Sequence, residues 1–296
     1  MLIRYLYYSS FIFLSLAYSY QESFQTEIGI CHLNIKKSNN DLGLKKQIQS
    51  WSKNLVIQFG SVKKTDFFIN IIDNKEQLKN FPNWASGIAI NNRVFIYRNK
   101  LSPTVVSHEL CHIFQNKIKN SKTFPAWFKE GMAMHFSKDF FDIEITTLSE
   151  SILLDYVIEL DQLHNISKLK NPKDVKVAYQ ESLYAYQKIV NEYSPASIKR
   201  IIYQMNNNDF TFSKAFKNVL GIKLKDFTSE TDEEIKKTSA THLFFNLPSF
   251  LFFISSIIIF IIFIYIKRRN KKIVKKWELE DELELLDENN TDNNSN

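Results

Sequence analysis

The run from Leu243 to Ile266 constrains this chain more than any other feature. It is almost continuously apolar, interrupted only by Asn246, Pro248, a few serines and Tyr265. A helix rises about 1.5 Å per residue, so about 20 such residues cross the hydrocarbon core of a bilayer. Seven cations follow at once: Lys267, Arg268, Arg269, Lys271, Lys272, Lys275 and Lys276. The core helix of a soluble domain does not normally end in such a block. A membrane span does, with the basic side in the cytoplasm.

The expectation is therefore a single-pass membrane protein. A transmembrane helix covers 243–266, and a basic then acidic tail, 267–296, lies in the cytoplasm. Asp, Glu and Asn dominate the last part of that tail, which predicts disorder there. Nothing in it names a cytoplasmic partner.

The N-terminus carries a second membrane signal. Arg4 is followed by the apolar Phe11, Ile12, Phe13, Leu14 and Leu16, and then by the small residues Ala17 and Ser19. This pattern predicts a cleaved signal peptide over residues 1–19, with an uncleaved anchor as its rival because Tyr18 and Tyr20 flank the small residues. Together the two signals place the intervening domain outside the cytoplasm, in a bacterial periplasm or at the cell surface.

The net charge of +6 does not point to nucleic acid. The basic block is roughly cancelled by Glu278, Glu280, Asp281, Glu282, Glu284, Asp287 and Glu288, and no Arg-rich or Gly-rich binding motif is present.

Between the membrane signals the chain reads as α+β. Residues 20–100 form an N-terminal α/β part, and residues 101–240 a helical part. Thr26 to Ile35 is β-rich, Leu42 to Phe59 has helical spacing, and Phe67 to Ile72 suits a buried strand. Ile88–Ile90 and Val94–Tyr97 flank Asn91-Asn92, a pair that tolerates the positive φ angles of a tight hairpin turn. Ser102 and Pro103 open one helix and Pro125 another. From Thr147 onward the spacing is helical, with breaks near Pro172, Pro195 and Gly221.

The second of these parts carries His108-Glu109-Leu110-Cys111-His112. Residues four apart share one helix face, so His108 and His112 suit a single tetrahedral Zn2+, and Glu109 reaches a water at the metal's open position. Glu130 is the candidate third metal ligand. Seventeen residues separate it from His112, which is room for an antiparallel helical return. Gly131 and Ala133 would then let the two helices approach closely.

At this point the chain resembles the gluzincin zinc metallopeptidases of the peptidase MA-like family. The resemblance rests on His108-Glu109-x-x-His112 with Trp127-x-x-Glu130-Gly131-x-Ala133, and extends to Ala178-Tyr179-Gln180-x-Ser182. It implies a zincin-like fold of a small mixed β-sheet with helices followed by an all-helical half. The strand before the zinc helix would form the upper rim of a cleft. The implied activity is hydrolysis of peptide bonds in a peptide or protein substrate, with Glu109 as the general base. Tyr179, in the segment that carries the resemblance, is the candidate oxyanion donor, with Tyr184, Tyr186 and His135 as alternatives.

Neighbouring classes fit less well. Metzincins need a glycine and a third histidine where Gln115 and Ile118 stand. Aminopeptidases carry an acid in a G-x-M-E-N signature, whose nearest counterpart, Gly87-Ile88-Ala89-Ile90-Asn91, has none. That points to internal cleavage. The polar Gln115, Asn116 and Lys117 argue against a site inside the membrane. The alternative function is a catalytically silent zincin-fold protein that serves binding or assembly at the membrane.

The hairpin at 86–97 adds an edge that an extended peptide can pair with, unless Val94–Tyr97 simply completes the core. Cys31 and Cys111 would pair only if their Cα atoms lie within about 7 Å. Asn165-Ile166-Ser167 is a glycosylation acceptor only in a eukaryotic secretory pathway.

Overall fold

In a computed structural model of the chain, residues 20–35, 43–73, 85–138, 157–163, 166, 169 and 171–292 are described. The expected signal peptide, the Asn165-x-Ser167 acceptor and the helical reading of 147–156 lie outside them. The chain divides into two compact units, 1–240 and 241–296.

Five strands form the sheet of the first unit: β1 (Tyr20–Thr26), β2 (Gly29–Ile35), β3 (Phe67–Ile72), β4 (Gly87–Ile90) and β5 (Arg93–Tyr97). Their spatial order is β1-β2-β3-β5-β4. The outer pairs β1/β2 and β4/β5 are antiparallel, and the inner pairs β2/β3 and β3/β5 are parallel. The β-rich stretch expected from Thr26 onward is thus the second arm of a hairpin whose first arm precedes it. The turn between the arms needs Gly29, at φ 134°, where a Cβ would stand 2.0 Å from the Thr65 carbonyl oxygen. Asn91 sits at φ 54° in the β4–β5 turn, as its side chain permits.

One sheet face is apolar by simple alternation. Cys31 and Leu33 of β2, Phe67 and Ile69 of β3, and Val94 and Ile96 of β5 are buried on it. They share a core with Ile48, Leu55 and Phe59 of α1 (Leu44–Phe59) and with Val106, Leu110 and Phe114 of α2 (Pro103–Asn116). At roughly 1.5–3 kcal/mol for each such side chain, this burial is what fixes α2 against the sheet. Cys31 and Cys111 are both buried in that core as thiols, not as a disulfide.

Helix α3 (Ala126–Ser137) packs against α2 and against α4 (Pro172–Tyr193), which is followed by α5 (Pro195–Asn208) and α6 (Phe212–Leu220). The breaks at Pro172, Pro195 and Gly221 fall where the sequence places them, because proline suits a first helical turn and Gly221 accepts the left-handed cap at φ 80°. The described part of 157–171 holds only 3-10 turns ahead of α4, so helix is not continuous there.

Helix α7 (Leu224–Asp292) begins in the first unit and makes up the described part of the second. Its stretch Leu251–Trp277 is long and apolar enough to cross a membrane, and none of it is buried against protein. Phe252 and Ile259 are 75% and 66% exposed, which is costly in water and favourable in lipid. The helix continues to Asp292, where the sequence predicts disorder. The reason is local: Glu278 to Leu286 contains only Glu, Leu and Asp, mostly strong helix formers.

Candidate metal centre

Helix α2 starts cleanly. The Ser102 hydroxyl accepts from the Val105 amide at 3.2 Å, and Pro103 occupies the first turn. That start sets the phase that turns His108 and His112 to one side. Pro125 opens α3 after a tight connection in which Asn120 takes φ 57°, and α3 returns beside α2.

The return brings three side chains to one point. His108 Nε2 and His112 Nε2 are 3.2 Å apart. Glu130 Oε2 lies 3.4 Å from His108 Nε2 and 3.3 Å from His112 Nε2. A tetrahedral zinc with ligands at about 2.0–2.1 Å holds its ligand atoms about 3.3 Å apart. The triangle therefore has the edge length of a zinc coordination face, and among the described residues these three form a group able to hold a metal ion. Two imidazole lone pairs that close repel unless a proton or a cation lies between them.

Electrostatics agree with a cation site. Burial alone would raise the Glu130 carboxyl, but His112 and His108 hold it well below the usual carboxylate range. Burial would lower His112, yet Glu130, Glu109 and Gln115 push it up to about 9. Glu109 is 7% exposed, and its carboxyl is raised by burial against the pull of both histidines. Its Oε2 is buried without a hydrogen-bond partner among the described residues. That is the state of a base with room for a proton donor.

A cleft of about 280 Å³ opens beside the triangle. Ala85, Ser86 and Gly87 form one wall, Val105, His108 and Glu109 the floor, and Pro172, Val175, Lys176 and Tyr179 of α4 the other wall. Gly87 leaves room there. A Cβ at that position would stand 3.0 Å from Glu109 Cγ and Oε1, so glycine lets the carboxylate lie against the strand.

Tyr179 lines the cleft with its ring centre 6.4 Å from that of His108. The alternatives lie elsewhere. Tyr186 is fully buried against Phe128 and His135, and Tyr184 bonds to Glu234.

Two expectations are corrected. The strand directly before α2 is β5, which sits inside the sheet; the cleft rim belongs to β4, the edge strand. The reason is that the β4–β5 turn puts the shorter, less buried arm outermost. Gly131 serves close approach to α4 rather than to α2, since a Cβ there would lie 2.2 Å from the Ser182 carbonyl oxygen and 2.7 Å from Tyr186 Cβ.

Sequence reasoning missed Gln115, Gly87 and Lys176 as residues of this region. Gln115, three residues past His112 on the same helix side, had a legible signal in that spacing; the other two had none.

No family model and no curated protein matches the sequence. Solved structures similar to it include an M1 zinc metallopeptidase variant from Deinococcus radiodurans bound to a Tyr-Ser-Ala substrate, at 10% identity and a TM-score of 0.43, covering 74% of this chain and 50% of that one. An aminopeptidase N family protein from Idiomarina loihiensis is similar at 14% identity and a TM-score of 0.42, covering 72% and 46%. The chain thus spans about half the length of each. Likeness at that level carries no weight for activity or substrate, which rest on the side chains themselves.

Proposed function

We propose that this chain is a membrane-tethered zinc peptidase that hydrolyses internal peptide bonds outside the cytoplasm. The observation that carries the reading is the triangle of His108, His112 and Glu130, with edges of 3.2–3.4 Å, beside the buried carboxylate of Glu109 at the floor of a cleft. His108, His112 and Glu130 hold the metal. When bound, zinc supplies Lewis acidity toward a carbonyl oxygen and lowers the pKa of water to about 7.

The remaining steps belong to the chain's own groups. Glu109 takes a proton from the attacking water at its carboxylate and passes it to the leaving amine, a role worth about 10²–10⁴-fold in rate. Tyr179, facing the floor from α4, donates a hydrogen bond to the oxygen that gains charge during attack.

Strand β4 orients the substrate. The Tyr97 amide donates to the Ser86 carbonyl oxygen at 3.2 Å. Antiparallel ladders alternate, so Gly87 and Ala89 turn their backbone groups outward from the sheet edge. An extended peptide laid along that edge is held by its backbone, independent of sequence. The segment Gly87-Ile88-Ala89-Ile90-Asn91 has no glutamate where the G-x-M-E-N signature places one for a substrate's terminal ammonium, which supports internal cleavage over N-terminal trimming. The exposed apolar stretch Leu251–Trp277 supports the tether, and the cations from Lys267 onward support a cytoplasmic C-terminus.

The test uses the full chain in detergent, with zinc stoichiometry and turnover of a peptide library measured for wild type and Glu109→Gln. The expected result is one zinc in both and a turnover loss of about 10²–10⁴-fold in the variant. A fully loaded wild type with no turnover would instead favour a silent binding or assembly protein. Ala89→Pro, at the outward-facing edge, is expected to keep zinc and folding while lowering turnover by about 10-fold, the value of one lost backbone hydrogen bond. Unchanged turnover would remove β4 from substrate binding.

A further inference from the structure

One side chain near the metal triangle is used neither by the core nor by the proposed chemistry. Gln115 is 1% exposed and lies three residues beyond His112, on the same side of α2. Its Nε2 donates to the Lys129 carbonyl oxygen at 2.8 Å. A carbonyl oxygen only accepts, so this contact fixes which end of the amide is which. The other end, Oε1, then lies 3.0 Å from His112 Nδ1 and must be the acceptor there. His112 Nδ1 consequently carries a proton, so Nε2, which faces His108 Nε2 and Glu130 Oε2, is the nitrogen left to bind a metal.

Lys129 directly precedes Glu130 on α3. The Lys129 carbonyl is also positioned to serve the helix's own ladder, so the bond from Gln115 is additional to normal helix pairing. The same amide therefore touches the second histidine of α2 and the backbone one residue from the glutamate of α3.

We infer that Gln115 is a positioning residue for the metal. Its Oε1 fixes the His112 ring through Nδ1, while the bond to the Lys129 carbonyl holds the amide itself in place, so that His112 is oriented before metal arrives. Partners of this kind are typically worth 10–100-fold in metal affinity, because a ligand that must first be oriented binds more weakly. The inference rests on the reading of the trio as a zinc site and is independent of peptide cleavage.

The experiment measures zinc affinity of the full chain in detergent by competition with a chromogenic chelator, together with unfolding of the metal-free protein. Two variants separate the two arms of the brace. Gln115→Leu removes both bonds. Gln115→Glu keeps an acceptor for His112 Nδ1 but cannot donate to the Lys129 carbonyl.

Gln115→Leu is expected to weaken zinc by about 10–100-fold, and Gln115→Glu to recover affinity to within about threefold of wild type. Both are expected to lower metal-free stability, since both lose the Lys129 bond. A purely structural glutamine would give the stability loss without the split in affinity, and that result overturns the inference. Should Gln115→Leu fail to fold, Gln115→Glu decides alone, and a loss of zinc affinity above about threefold there overturns it. A wild-type chain that binds no zinc would instead overturn the metal site itself.

Discussion

Glu130 and Glu181 sit on two helices packed against each other, and both are withdrawn from water, yet they are held in opposite states. Glu130 on α3 faces His108 and His112 within 3.4 Å, and these hold it below the usual carboxylate range despite burial. Glu181 on α4 is 0% exposed, and burial pushes its carboxyl up to about 9. Its Oε1 accepts from the Ile158 amide at 3.1 Å, which offsets only part of that cost, while Asp232 adds to the rise and Lys236 opposes it. Burial has one sign for every carboxylate; the partners decide whether it ends charged. One helix pair thus carries a carboxylate kept charged by two histidines and an acid that is neutral at pH 7.

The largest expected effect tests the charged member. Glu130→Gln should weaken zinc by more than about 100-fold, since even the partners of ligands are worth 10–100-fold. Glu181→Gln should leave zinc affinity within about threefold, and chelator competition on both variants checks the contrast. Equal losses would mean the two carboxylates act as one electrostatic unit.

The packing that places them side by side comes next. Gly131→Ala puts a methyl 2.2 Å from the Ser182 carbonyl oxygen, against backbone that cannot give way cheaply. Such overpacking costs about 1–3 kcal/mol, measurable by urea unfolding. A neutral result would show that α3 and α4 can separate without loss.

The smallest effect concerns the neutral member and has a definite sign. A carboxyl raised in the folded state keeps a proton that the unfolded chain loses above its own pKa of about 4.3. Between there and about 9 the native state binds more protons, so stability falls as pH rises through that window. Glu181→Gln removes this penalty. It should stabilise the chain by at least about 1 kcal/mol at pH 8 and by little at pH 4. Parallel pH profiles for wild type and variant would show that Glu181 ionises without cost. Asp232, raised by burial to about 6, accepts from the Leu160 amide at 3.2 Å and should shift the profile only at the acid end of that window.

The proposed metal ligands were legible because the chemistry that singles them out is local. His108, Glu109 and His112 lie within five positions on one helix, and helical spacing alone puts two imidazoles on one side. Glu130 needed one further step, a short connection with Pro125 after it. The hairpin at 87–97 was visible in Asn91-Asn92, and the membrane stretch in the length of its apolar run. Gln115 was half legible, since its spacing from His112 puts it on the right side of α2, but its second partner is a backbone carbonyl on another helix. The role of Gly131 was misplaced for the same reason: a glycine shows that something approaches closely, not which element does.

By itself, then, the sequence determined what depends on neighbours along the chain: the ligand spacing, the helix starts, the hairpin turn and the span able to enter a membrane. The tertiary structure decided what depends on neighbours across it. It made β4 rather than β5 the edge strand, brought Tyr179 instead of Tyr184 or Tyr186 to the cleft, and set Glu130 charged and Glu181 neutral. Periodicity and propensity act over a few residues, whereas strand order and the charge of a buried group are set by whatever packs against them.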